Sequence, residues 1–337
     1  MPETKPTRNE QIVNLRVFAT LVVVLGHCII IFDPSWSASY GFHHQYDCHT
    51  AVWVKRFINL FQMELFFVIS GVCFRYGRDK SFKPISAITK KGYRLLVPFV
   101  AIALVWMLPI RFLVGYPNYK ADTIIHILYN VLTIEDAGHL WFLPVLFGIF
   151  SLNYILQKFT DNKYLLLTLS VILYLIHAHT SSILLNRILY YFLFFTIGNA
   201  VNLCALVRNR RLSVCTISFV LLMICMLLDI NQSPLKVIES ALIVLILFAI
   251  TPSKTKPIVA SFDRNSFGIY LFHSPIILIG MHTLTFYPPH IYILIQFISS
   301  IIISVFIVNI IRRFKLSPII GENQFVICRN SSKTSAS

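Results

Sequence analysis

Apolar residues run along this chain in blocks of membrane-spanning length, separated by short polar stretches, from residue 15 to residue 311. A bilayer core takes about 20 helical residues to cross. Ten blocks are read, at 15–32, 53–74, 93–114, 140–157, 164–178, 183–204, 212–229, 236–251, 266–286 and 291–311. They predict an all-α integral membrane protein, a bundle of about ten transmembrane helices with both termini on one side. A further interfacial helix is expected over 123–134. The stretch "MPETKPTRNEQIVNLR" is polar and the run after it is long enough to span, so it does not read as a signal peptide. The expected organisation is an N-terminal segment over 1–14, a membrane domain over 15–312 and a tail over 313–337. The tail's ending "CRNSSKTSAS" reads as disordered.

Composition agrees with the pattern. Of the 337 residues 56% are hydrophobic and 13% charged, where a soluble domain carries about a quarter charged residues. A net charge of +15 would suggest nucleic acid in a soluble protein. Here it reads as cationic loops that orient helices by the positive-inside rule, and no nucleic-acid partner is expected. With the termini inside, 23 of the 29 lysines and arginines fall on the cytoplasmic side, Arg78, Lys90, Lys91 and Arg210 among them. The outside keeps Lys55, Arg56, Arg111, Lys120, Arg187 and Lys236. The seven cysteines are dispersed without a CxxC pair, and "HHQYDCHT" (43–50) lacks firm ligand spacing, so no metal site is signalled.

The first block, "NLRVFATLVVVLGHCIIIF" (14–32), carries two ionisable side chains, Arg16 and His27. Eleven residues at about 100° per residue return to within about 20° of the same helix face, about 16 Å along the axis. Alone, Arg16 reads as an interfacial anchor and His27 as a helix–helix hydrogen bond. A buried intramembrane ionisable residue is also a candidate for function.

Arg-x10-His in a first span resembles the signature of acyltransferase family 3. Further segments resemble that family in order along the chain: "ELFFVISGVCF" (64–74), "KKGYRLLVPF" (90–99), "HLWFLPVLF" (139–147) and "SFGIYLFHSPI" (266–276). Where many members carry Asp three residues before the Arg, this chain has Val13. The resemblance implies a polytopic acyltransferase of the plasma (bacterial inner) membrane. It would most commonly move acetyl from acetyl-CoA to a hydroxyl of a surface polysaccharide or lipid-linked sugar.

Such a transfer needs a base for the hydroxyl proton, and His27 suits it. It needs cations for the phosphates of the donor. Arg16, Arg75 and Arg94 at the inner ends of their spans are the expected donor-binding residues. Glu64, costly to bury as a charge, is the expected partner of His27. His139 and Trp141 are expected at a sugar-facing mouth. Tyr270 and His273, three apart on one face, are expected to line the same cavity. The alternative is a transporter or flippase for a small anion or lipid-linked sugar, whose buried polar groups would form a path. On a background lacking native cysteines, probes at Arg210 and Ser337 are expected to label from the cytoplasmic side and a probe at Asp47 from the outside. Labelling of Ser337→Cys from the outside alone would reverse the orientation.

Overall fold

The computed structural model describes residues 9–76, 84–117, 119, 122–227 and 233–322. Arg78 and the terminal stretches 1–8 and 323–337 lie outside them. Among the described residues every regular element is helical. The α-helices are α1 (Glu10–Cys28), α2 (Pro34–Tyr40), α3 (His49–Asn59), α4 (Gln62–Tyr76), α5 (Pro84–Ile102), α6 (Leu108–Leu113), α7 (Ile124–Leu132) and α8 (Phe142–Leu156). They continue with α9 (Lys163–Ile176), α10 (Ile183–Ala200), α11 (Leu203–Leu227), α12 (Ser233–Ile250), α13 (Pro257–Asp263), α14 (Ser266–Thr283) and α15 (Pro289–Arg313).

Among the described residues seven helical segments are long and apolar enough to cross a membrane: Glu10–Cys28, His49–Tyr76, Ile85–Leu113, Gly138–Leu156, Ile183–Ala200, Leu203–Met226 and Pro289–Arg313. The expected blocks at 164–178, 236–251 and 266–286 fall on α9, α12 and α14 but are not among the seven. α9 is short, with 14 residues. α14 carries two histidines and a proline, which lower its hydropathy. The helix expected over 123–134 is α7, with Ile124, Ile125, Tyr129 and Leu132 exposed along it.

Two spans are interrupted where the interior needs polar groups. α3 and α4 are separated at Leu60–Phe61, and Ser240 of α12 donates to the Leu60 carbonyl. α5 and α6 are joined by a π-helical turn, Ala103–Met107, within which Trp106 donates to the Phe272 carbonyl at 3.3 Å. Such wide turns offset side chains that a regular helix would hold in line.

Segments that the charge pattern places together meet at the same end of the bundle. At one end the start of α1 binds the segment after α12: Gln11 donates to the Phe248 carbonyl at 2.8 Å and Asn14 to the Pro252 carbonyl at 2.9 Å. At the other end His44 stacks edge-on against Tyr292, and Tyr40 packs on Tyr116.

α4 packs tightly on α10. A Cβ on Gly71 would collide with the Phe195 carbonyl, and one on Gly198 with the Val68 carbonyl. Backbone rests on backbone, a packing mode that small residues permit in membranes. Gly71→Ala and Gly198→Ala are each expected to cost about 1–3 kcal/mol through overpacking. Thermal unfolding of the purified chain in detergent checks this, and unchanged melting would show that the contact yields freely.

Candidate active site

α1 brings His27 beside His273 of α14 and His139 of the 3₁₀ turn Gly138–Trp141 ahead of α8. Ring centroids stand 4.9 Å apart for His27–His273, 5.3 Å for His139–His273 and 6.5 Å for His27–His139. Their protonation follows from their partners, because a carbonyl only accepts. His27 Nδ1 lies 2.8 Å from the Val23 carbonyl and therefore carries the hydrogen. His273 Nδ1 lies 3.0 Å and 2.9 Å from the carbonyls of Ile269 and Tyr270, so its Nε2 keeps a lone pair. That Nε2 is 3.4 Å from His27 Nδ1 and shares its hydrogen. His27 Nε2 is left with a lone pair of its own. His139 donates from Nε2 to the Leu271 carbonyl at 3.0 Å, and the Tyr270 hydroxyl donates to the His139 carbonyl at 2.5 Å.

His27 opens on a chamber of about 510 Å³, lined also by Tyr40, Lys55, Glu64, Tyr116, His139, Trp141, Arg187 and Tyr270. Arg111 holds its rim. The guanidinium donates to the Tyr119 hydroxyl at 2.9 Å and to the Asp136 carbonyl at 3.0 Å, pairs with the Asp136 carboxylate at 3.0 Å and lies over the Tyr116 ring. It also packs so closely on Gly138 that a Cβ there would strike Nη2, and Gly138 has φ +53°. This anchored loop delivers His139. Trp141 is covered by the Arg187 guanidinium at 4.4 Å from the ring centroid and packs against Tyr191.

Several expected residues take places other than those expected. His273 has no solvent exposure and does not line the chamber; it stands behind His27 and orients it. Glu64 does line the chamber, yet no hydrogen bond or ion pair among the described residues joins it to His27. Its Oε2 is buried without a partner, and its electrostatic neighbours are Tyr190 and Tyr191. The histidine is partnered instead by another histidine, because α14 rather than α4 faces that side of α1. His139 and Trp141 sit within the chamber wall, His139 buried at 6% exposure.

At the opposite end of α1 lies a second chamber of about 920 Å³, lined by Arg16, Cys73, Tyr76, Arg208 and Arg211 among others. Arg16 is not a free fork. Its Nε and Nη2 engage both oxygens of Asp263 at 2.5 and 2.8 Å, and the Asp263 side chain has no exposure. Arg94 is exposed and within electrostatic reach of Arg16 and Glu322. Arg75 donates to the carbonyls of Asn199 and Ala200 at 3.2 and 2.8 Å, closing the end of α10. In this geometry it caps carbonyls that have no partner within their own helix, and it is not among the residues lining the second chamber.

The family signature is thus assembled in three dimensions, with Arg16 and His27 on one face of α1 and the later segments gathered around them. The family model described as an acyltransferase domain, acyltransferase family 3, matches residues 9–309. The chain belongs to this family. No curated protein and no solved structure matches it significantly. The acyltransferase is a multi-pass membrane protein, and the match covers both chambers.

Residues that sequence reading left aside are Asp263, Arg111, Asp136 and Lys55. Asp263 carried one signal: it is an acid amid the basic inner segments, just ahead of a matched motif. Asp263→Asn is expected to destabilise the acyltransferase by about 2–3 kcal/mol, the scale for charged hydrogen bonds. Arg16→Lys loses the fork, and the double variant should cost less than the two losses together. Additive losses in thermal unfolding would show that the two residues act independently.

Proposed function

We propose that this acyltransferase moves an acetyl group from acetyl-CoA to a hydroxyl of a cell-surface polysaccharide or lipid-linked sugar. The observation that carries the reading is the unshared lone pair of His27 Nε2 at the floor of the first chamber. A base with its other nitrogen tied to Val23 and His273 is held in the tautomer that accepts a proton.

In this reading the second chamber faces the cytoplasm and receives the donor. Arg16, Arg208 and Arg211 supply positive charge for its phosphates, and Arg94 adds to the field. Arg16 is held in place by Asp263 and meets phosphate through the edge that Asp263 leaves open. From Arg16 to Val23, the first α1 residue of the other chamber, is about 10 Å along the helix. A thin thioester arm crossing that wall would bring its carbonyl to His27. The acceptor enters the first chamber from outside, against Trp141, Tyr40 and Tyr116. Glu64 Oε2, buried without a partner, is assigned to a hydroxyl of the acceptor.

His27 Nε2 then takes the hydroxyl proton as the oxygen attacks the thioester carbon. The carbon–sulfur bond breaks, and the thiolate leaves with that proton as free CoA. Ten spans, cytoplasmic termini and the bacterial inner membrane complete the proposal. The lysine and arginine asymmetry supports the orientation, and α9, α12 and α14 complete the count.

His27→Ala is expected to lower transfer by about 10²–10⁴-fold, the scale of general base catalysis, with membrane insertion intact. Free-thiol release from acetyl-CoA and mass spectrometry of surface glycans, with and without the protein, are the two readouts. Wild-type glycan acetylation by a correctly inserted variant would remove His27 from the reaction. Substrate flux without release of CoA would favour the transporter reading instead.

A further inference from the structure

A second ionisable group faces the first chamber without a counter-ion. Lys55 lies on α3, the half-span that stops at Leu60–Phe61, and its side chain turns inward. It is 6% exposed. Its Nζ ends beside Gly26, the residue before His27: a Cβ on Gly26 would lie 3.5 Å from it.

Among the described residues no carboxylate forms an ion pair with Lys55. Asp33 shares its electrostatic field but accepts from Ser35 N at 3.1 Å and Ser35 Oγ at 2.7 Å, capping α2. Lysines buried to this extent are normally paired. This one is also a poor topological anchor, since it sits at the end of the bundle that carries few cations. Its field reaches His27. A fixed charge left unpaired beside a base suits a negative charge that forms only while the reaction proceeds.

We propose that the Lys55 ammonium stabilises the oxyanion of acyl transfer. The assignment rests on the reading of His27 as the base. As the acceptor oxygen bonds to the thioester carbon and its proton passes to His27 Nε2, the carbonyl π electrons move onto oxygen. The Lys55 N–H groups donate to that oxygen. When the carbonyl re-forms, the carbon–sulfur bond breaks and the thiolate takes the proton from His27. Lys55 returns to its starting state with no proton gained or lost.

The test uses the full chain in detergent, with acetyl-CoA as donor and octyl glucoside as hydroxyl probe, and reads initial thiol release. Lys55→Met keeps the length and removes the charge; Lys55→Arg keeps the charge. The expected result for Lys55→Met is a kcat about 10²–10³-fold lower, the scale for one oxyanion donor, with KM for both substrates unchanged. Lys55→Arg should recover most of the loss. Should Lys55→Met not give monodisperse protein, Lys55→Gln serves the same comparison.

A wild-type kcat in the neutral variant would overturn the proposal. So would a loss confined to the KM for octyl glucoside, which would make Lys55 a binding group for the acceptor. An equal loss in a folded Lys55→Arg would mark it as packing only. His27→Ala in the same assay separates the two readings. If it is inactive while Lys55→Met is normal, only the oxyanion assignment fails. If it is active, or the wild type releases no thiol, the acyl-transfer reading fails first.

Discussion

An arginine carried into the end of a membrane helix must find a counter-charge, and in this protein that demand organises the interior. Arg16 grips Asp263 through two hydrogen bonds, and the carboxylate is wholly withdrawn from solvent. A carboxylate so placed is tolerable only while its partner stays. The pair fixes α13 against α1 and thereby the register at which α14 begins. Ten residues beyond Asp263, His273 arrives opposite His27, which is eleven residues beyond Arg16. Two nearly equal spacings on two neighbouring elements make two rungs between them, one ionic and one of imidazoles.

The helical architecture was legible because apolar blocks are a property of consecutive residues. The common face of Arg16 and His27 was legible for a similar reason: both lie on one helix, whose geometry relates them. Asp263 was not. Its partner is 247 residues away, and the spacing along one helix says nothing of which other helix will face it. The same limit applies to Glu64, which lines the chamber within electrostatic reach of Tyr190 and Tyr191 and, among the described residues, makes no hydrogen bond to His27. Arg75 shows a different limit. An arginine at a cytoplasmic helix end reads as a phosphate ligand or an anchor, and only the neighbouring helix reveals open carbonyls that claim it.

The interruptions in the spans belong to the same economy of space. A straight helix over 49–76 would place Lys55 and Glu64 by helical period alone; the stop at Leu60–Phe61 lets both face one chamber. The wide turn at Ala103–Met107 similarly lets Trp106 bond the backbone of α14 while Arg111 grips the rim. Further along the Glu64 face of α4 there is no such freedom, since at Val68 and Gly71 its backbone lies directly on that of α10. The irregular backbone thus lies beside the chamber and regular helix packing continues below it, in keeping with the rule that irregular backbone at membrane depth lines a cavity or is buried in protein.

The hydrogen on His27 Nδ1 has an electrical consequence. It is shared by the Val23 carbonyl and His273 Nε2, and the hydrogen on His273 Nδ1 is in turn held by two carbonyls. Among the described residues no wire for protons leads out of the imidazole pair, because the chain of donors ends on carbonyls that cannot pass a proton on. In the proposed transfer, a proton that arrives at His27 Nε2 leaves from the same atom into the same chamber. The acyl group moved is neutral. The turnover of that proposed transfer then carries no net charge through the bilayer, so the membrane potential neither drives its equilibrium nor is drained by it.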